Sequence, residues 1–123
     1  MVLAVSTEAD VTRRVADAAI EAWRRTGTTM VEMSLATLTG VAARGLALLA
    51  AEDGIVECVV EGDLGPLVTA SRRISADGWK VAVLVPSRRM GEAHAVLRGA
   101  PVRIQPWWDG ADDSVLFGVP EVP

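Results

Sequence analysis

Apolar residues recur with two different spacings between residues 54 and 108, and the two spacings alternate along the chain. Three short apolar runs, rich in β-branched side chains, predict strands that are covered on both faces. Two intervening segments carry apolar residues at helical spacing and end at Gly78 and Gly99. The predicted order is strand 55–60, helix 63–76, strand 79–85, helix 87–98 and strand 102–107. A helix between two strands makes them parallel with a right-handed crossover, so we expect three parallel strands in β-α-β-α-β order.

The N-terminal part of the chain predicts helices that pack on this sheet. Residues 6–10 supply a hydroxyl N-cap and early carboxylates for a first helix, which continues at helical spacing to Gly27 as C-cap. A second apolar stripe predicts a helix over residues 35–51. Residues 30–34 fit either a strand or a helix, and residues 2–6 fit a short edge strand.

The C-terminal part predicts a hairpin. An acidic turn at residues 109–113 leads to a fourth strand at residues 114–119, which we expect to run antiparallel to the third. The fold class is therefore α/β: one layered domain over residues 1–123, with a helical part at 1–53 and a sheet part at 54–119.

Composition adds a partner and a compartment to this outline. The chain has 123 residues and an apolar fraction of 50%, and its mean hydropathy is +0.31. This apolar content is high for a domain of this size, so we expect a homodimer to cover part of the surface. No segment reaches the ~20 uninterrupted apolar residues of a membrane span. The first residues lack the basic start of a secretory signal, so we predict a cytoplasmic protein without membrane contact.

Charge and reactive residues point away from an obvious chemistry. The formal net charge of −4 argues against a protein that coats nucleic acid, although it leaves room for a local basic patch. Cys58 lies in an apolar strand without a basic neighbour in sequence, which indicates a buried structural thiol. His94 is the only histidine, so we do not expect a zinc site and predict a structural role for His94.

The carboxyl ends of the parallel strands, near the switch in strand order, are the expected place for a binding site. After the second strand, Ser87, Arg88 and Arg89 combine a hydroxyl, a helix start and two guanidinium groups, which predicts an anion-binding site. The alternative is that Ser87 only caps the helix and the arginines are solvated. After the third strand, Trp107 and Trp108 point to opposite faces, so one belongs to the core and the other contacts a protein partner or stacks on a base.

Acidic residues at the same strand ends allow a second interpretation. Glu61 and Asp63 follow the first strand, and Asp109 follows the third. Their carboxylate oxygens could bind Mg²⁺. The alternative is that Glu61 and Asp63 are acids of a first helical turn, where they suit the helix dipole. The run Val59-Val60-Glu61-Gly62-Asp63, followed by a helix, a strand and later aspartates, resembles Toprim domains of primases and topoisomerases. That resemblance implies Mg²⁺-dependent phosphoryl transfer on a nucleotide or nucleic acid. This chain has Asp-Gly-Ala-Asp-Asp where the family has Asp-x-Asp.

A second, shorter resemblance covers residues 78–89. Gly78-Trp79-Lys80-Val81-Ala82-Val83-Leu84-Val85-Pro86-Ser87-Arg88-Arg89 is similar to the strand-to-helix entry of the second RecA-like domain in helicases, and no Walker motif accompanies it.

We predict a small binding or adaptor domain that self-associates and contacts a protein partner, without a catalytic constellation or cofactor. The alternatives are the Mg²⁺-dependent phosphoryl-transfer domain and an accessory subunit of a nucleic-acid machine.

Overall fold

A computed structural model describes residues 7–123 of the chain. The elements in chain order are α1 (Glu8–Arg25), β1 (Val31–Ser34), α2 (Leu35–Thr39), β2 (Gly45–Ala50), β3 (Ile55–Val60), α3 (Leu67–Ala76), β4 (Lys80–Pro86), α4 (Met90–Val96), β5 (Val102–Asp109) and β6 (Val115–Phe117). None of the helices in this range is long and apolar enough to cross a bilayer. The edge strand predicted at residues 2–6 lies outside the described residues.

The strands follow one another across the sheet in the order of the sequence, β1-β2-β3-β4-β5-β6. β3, β4 and β5 are parallel, as the intervening helices predict. β6 runs antiparallel to β5, and β1 and β2 add two antiparallel strands before the parallel part. Across residues 7–123 the sheet is therefore mixed and has six strands, not three parallel strands with one antiparallel addition.

Helices cover both faces of the sheet and create two cores. On one face α2, α3 and α4 pack over a cluster that includes Val56, Val83 and Ile104. On the opposite face, which we call the α1 face, Val15 and its neighbours in α1 pack against Trp107 and the inward residues of β2, β3 and β4. Because successive residues of a strand point to opposite faces, this double cover explains why β3 and β4 are apolar almost throughout.

The predicted first helix is present as α1, and its ends agree with its sequence signals. Thr7 Oγ1 accepts a hydrogen bond from the Asp10 backbone N–H at 3.1 Å, and Asp10 Oδ2 accepts one from the Thr7 N–H at 3.2 Å. This reciprocal pair is a capping box, which satisfies two donors that a helix N-terminus otherwise leaves open. At the other end Thr26 is the C-cap and Gly27 follows with a left-handed φ of 91°.

The predicted second helix over residues 35–51 is wrong beyond its first turn. α2 ends at Gly40, whose φ of 69° is left-handed, and β2 begins at Gly45. In β2 the side chains alternate between the two cores, with Leu48 on the α1 face and Ala47 on the other. A strand that is buried on both faces has a continuous apolar sequence, which periodicity does not separate from a buried helix. Between residues 7 and 53 the chain therefore contributes β1 and β2 to the sheet in addition to its two helices.

Smaller differences occur near the C-terminus. The helix predicted from residue 87 begins with a 3₁₀ turn, Ser87–Arg89, before α4. The predicted hairpin forms through a turn in which Asp112 and Asp113 have positive φ angles of 59° and 57°. β6 is shorter than predicted, but the chain returns to β5 at Glu121, which exchanges two backbone hydrogen bonds with Ile104 at 2.7 and 2.8 Å.

Candidate functional site

The carboxyl ends of β3, β4 and β5 open into one cleft, which we call the strand-end cleft. Its volume is about 530 Å³, and its walls include Glu61, Asp63, Arg88, Arg89 and Trp107 together with the first half of α1. Three strand ends therefore do meet at one edge. The strand order does not reverse within the parallel part, so α3 and α4 lie on the same face and no crevice of the switch-point type forms between them.

The predicted anion site at Ser87, Arg88 and Arg89 is only partly assembled. Arg89 donates two hydrogen bonds to the carboxylate of Glu92, at 2.8 and 3.1 Å. This pairing raises the pKa of Arg89 and holds the pKa of Glu92 below its usual range, and Glu8 and Asp63 add negative charge around the guanidinium. Ser87 is not among the residues that line the cleft, and it begins a 3₁₀ turn whose N-cap is Pro86. Arg89 thus already has acidic partners where an anion was expected.

The three acids of the Mg²⁺ alternative do not come together. Asp63 Oδ1 accepts the Gly65 N–H at 2.9 Å, which closes a local turn. Glu61 lies 3.4 Å from the Arg44 guanidinium, and Asp109 forms an ion pair with Arg14 outside the strand-end cleft. Across residues 7–123, no three acidic, histidine or cysteine side chains are grouped as metal ligands are. Among the described residues, Glu61 and Asp63 therefore share the strand-end cleft, whereas Asp109 lies outside it.

The two adjacent tryptophans have different environments, as their opposite orientation predicts. Trp107 is 5% exposed and packs in the core of the α1 face. Trp108 is 41% exposed, and it pairs across β5 and β6 with Leu116, which is 46% exposed. Of the two predicted partner-binding residues, only Trp108 therefore offers apolar surface.

A larger cleft, which we call the sheet-face cleft, lies on the α1 face over the first halves of β4 and β5. Six strands at a spacing of about 4.8 Å make a sheet roughly 24 Å wide, whereas one helix is about 10 Å across. α1 packs mainly on β2 and β3 and also contacts β6, whereas the first half of β4 around Ala82 forms an open floor. The cleft has a volume of about 800 Å³ and mostly apolar walls, formed by Trp23, Ile55, Phe117 and Val122.

Glu57 places a carboxyl group in this apolar cleft. Its side chain is 7% exposed, and the Trp23 indole Nε1–H donates a hydrogen bond to Oε1 at 2.9 Å. Burial raises the pKa of Glu57, and the hydrogen bond from Trp23 opposes that effect only in part. In the part of the chain that the structure describes, no cation shifts the pKa of Glu57 or forms an ion pair with it. The cleft thus combines apolar walls with one buried acid.

Cys58 and His94 occupy structural positions. Cys58 is fully buried between the strands, and burial raises the pKa of its thiol to about 12. His94 Nε2 lies 2.9 Å from Glu121 Oε1, so it links α4 to the returning C-terminal segment. Neither residue lines either cleft.

Sequence reasoning missed the sheet-face cleft, although one signal was available. Glu57 is the only charged residue within the run from Ile55 to Val60. A charge inside a strand that is buried on both faces is unfavourable unless a specific partner stabilises it, so its presence identifies an exceptional position. The partner, Trp23, lies 34 residues earlier in α1, and no local pattern connects the two.

Comparison of this chain with protein-family models, with curated proteins and with solved structures finds no match.

Proposed function

We propose that this protein is a small binding domain whose ligand occupies the sheet-face cleft. The observation that carries the proposal is an apolar cleft of about 800 Å³ on the α1 face of the sheet, with polar groups at a minority of its wall positions. Binding sites for small organic molecules are typically concave, mainly apolar and about 300–1,000 Å³ in volume, with few well-placed polar groups. The volume and the lining of this cleft both agree with that pattern.

A binding role fits the titratable residues better than a catalytic one. Nucleophilic catalysis by cysteine requires an accessible thiolate, whereas Cys58 is buried and its pKa is about 12. His94 pairs with Glu121 outside both clefts. Among the described residues that line the sheet-face cleft, Glu57 is the buried acid, and it is hydrogen-bonded to an indole rather than to a group that it could activate.

A fragment-binding experiment tests this proposal. We would add small apolar aromatic fragments to the ¹⁵N-labelled protein and follow the Trp23 indole N–H resonance, assigned with Trp23→Phe. We expect saturable shifts for Trp23 and for residues of the cleft floor. Ala82→Phe fills the cleft and is expected to abolish them, whereas Ala95→Phe makes the same change at an exposed position of α4 and is expected to have no effect. Shifts that both variants retain, or no binding by any fragment, would contradict the proposed site.

A second proposal concerns self-association through the β6 edge of the sheet. Leu116 of the edge strand β6 and Trp108 of the adjacent β5 form an exposed apolar pair, and an edge strand presents unpaired backbone groups that a second copy can pair with about a two-fold axis. We would measure the sedimentation of the wild-type protein at micromolar concentration. A dimer that Leu116→Lys dissociates is expected. Val31→Lys, an exposed apolar position on the β1 edge, is the matched control and is expected to leave the dimer intact. A wild-type monomer would end this second proposal without affecting the cleft.

A further inference from the structure

The environment of Glu57 indicates which kind of ligand the sheet-face cleft would bind. Glu57 lies at the middle of β3 with its side chain on the α1 face, opposite Ala82 of β4. Its carboxyl group is buried from bulk water yet forms part of the cleft wall. A ligand that fills the cleft is therefore in direct reach of this group.

The hydrogen-bonding capacity of Glu57 is largely unused within the described residues. A carboxylate accepts about four hydrogen bonds through its two oxygens, whereas Glu57 accepts one, from Trp23 to Oε1. Burying a carboxylate without a cation is strongly unfavourable, and a positively charged donor offsets that cost most effectively. A ligand cation that carries N–H groups would therefore complement Glu57 better than a neutral donor.

We propose, on the basis of the proposed cleft function, that the ligand is an apolar amine whose ammonium group pairs with Glu57. Trp23 lines the same cleft and its indole N–H already bonds to Oε1, which leaves Oε2 for the ammonium group. The apolar body of the amine would contact Ile55 and Phe117, which line the same cleft.

Two cations of the protein restrict how the amine lies in the cleft. Lys80 and Arg103 also line it, and both are exposed to solvent. Arg103 is paired with Ala82, which is in turn paired with Glu57, so about 10 Å separates the backbones of the acid and the arginine. Positive charge on the ligand is therefore favoured at Glu57 and disfavoured at the outer end. A monoamine fits this charge pattern better than a diamine does.

Three ligands with the same phenyl body test the charge preference. We would measure binding of phenethylamine, phenethyl alcohol and phenylacetate by isothermal titration calorimetry near neutral pH, where the amine is protonated. A charge-assisted hydrogen bond in place of a neutral one corresponds to about tenfold in affinity. We expect the amine to bind about tenfold more tightly than the alcohol and the acid to bind least.

Two glutamate variants assign the preference to its residue. Glu57→Gln keeps an acceptor for Trp23, and is expected to reduce the amine affinity about tenfold while leaving the alcohol affinity unchanged. Glu61→Gln makes the same change in the strand-end cleft and is expected to change neither. Equal affinities of the wild type for amine and alcohol, or tightest binding of phenylacetate, would overturn the amine assignment and leave the cleft as an apolar site. Absence of binding by all three, together with negative fragment spectra, would remove the cleft function itself.

Discussion

Replacing Gly45 with alanine distinguishes the observed fold from the helix that the sequence pattern predicts. In a helix interior, glycine to alanine stabilises by roughly 0.5–1 kcal/mol. In the structure Gly45 is the first residue of β2, pairs with Val60 and has a φ of 137°. A Cβ atom at this position would lie 2.1 Å from the carbonyl oxygen of Val59. The two interpretations therefore predict stability changes of opposite sign.

The size of the stability loss caused by Gly45→Ala follows from the atoms that the added methyl group would contact. The clash is with backbone, so no change of side-chain rotamer relieves it, and a separation of even 3.0 Å requires the strands to move apart by about 0.9 Å. Such a movement weakens the end of the β2–β3 ladder and the adjacent hydrogen bond from Glu61 N–H to Arg44 O, which is 3.0 Å long. Left-handed backbone strain costs about 1–2 kcal/mol and each lost hydrogen bond about 1 kcal/mol. We expect Gly45→Ala to lower the free energy of unfolding by about 3 kcal/mol.

Urea unfolding followed by far-UV circular dichroism measures this difference. Gly54→Ala is the matched control, because Gly54 also has a positive φ, of 65°, but no atom within 4 Å of the added Cβ. It is expected to cost only the left-handed strain, about 1 kcal/mol. A Gly45→Ala protein as stable as the wild type, or more stable, would refute the assignment of residues 45–50 to a strand.

Three further experiments test other parts of the structure. Because burial raises the pKa of Glu57, its contribution to stability is present below the pKa of the unfolded state and is lost as pH rises through the pKa of the folded state. Glu57→Gln should therefore be more stable than the wild type at about pH 8 but not at about pH 4. An equal difference in the free energy of unfolding at both pH values would contradict this reasoning. The Cys58 thiol is fully buried and its pKa is raised to about 12, so it should react with an aromatic disulfide reagent at about pH 8 only after denaturant is added. Rapid labelling of the native protein would contradict this expectation, because it would show an accessible thiol. Trp107→Ala should cost about 3–5 kcal/mol in thermal or urea unfolding, while Trp108→Ala should cost less than about 2 kcal/mol; the reverse order would exchange their core and surface roles.

The sequence predicts the centre of the fold well because local rules determine it. β3 agrees with the predicted residues 55–60, and the parallel pairing of β3, β4 and β5 follows from the helices that connect them. The short connections leave the strands few alternatives. The N-terminal part is different, because β2 is apolar on both faces and its sequence fits a helix and a strand equally. Only the pairing of Leu48 with Glu57 and its neighbours across the sheet decides between them, and that contact is tertiary.

The candidate sites show the same division between local and tertiary information. The convergence of Glu61, Arg89 and Trp107 at one edge follows from strand direction alone. Two contacts depend on side-chain packing, which the spacing of residues in the sequence does not encode: the hydrogen bonds from Arg89 to Glu92 and the hydrogen bond from Trp23 to Glu57. The sheet-face cleft depends further on how much of a wide sheet one helix covers, which becomes visible only when the number of strands is known.

The neighbour-by-neighbour order of the sheet has a consequence for how the chain folds. Every strand pairs with the one before it in sequence, so each step of assembly closes a short loop and incurs little additional entropy. During synthesis, β1 to β5 can associate as they leave the ribosome. Phe117 and Val122 follow β5 in the sequence, and both form walls of the sheet-face cleft. The cleft is therefore fully enclosed only after the segment that follows β5 has docked on the sheet.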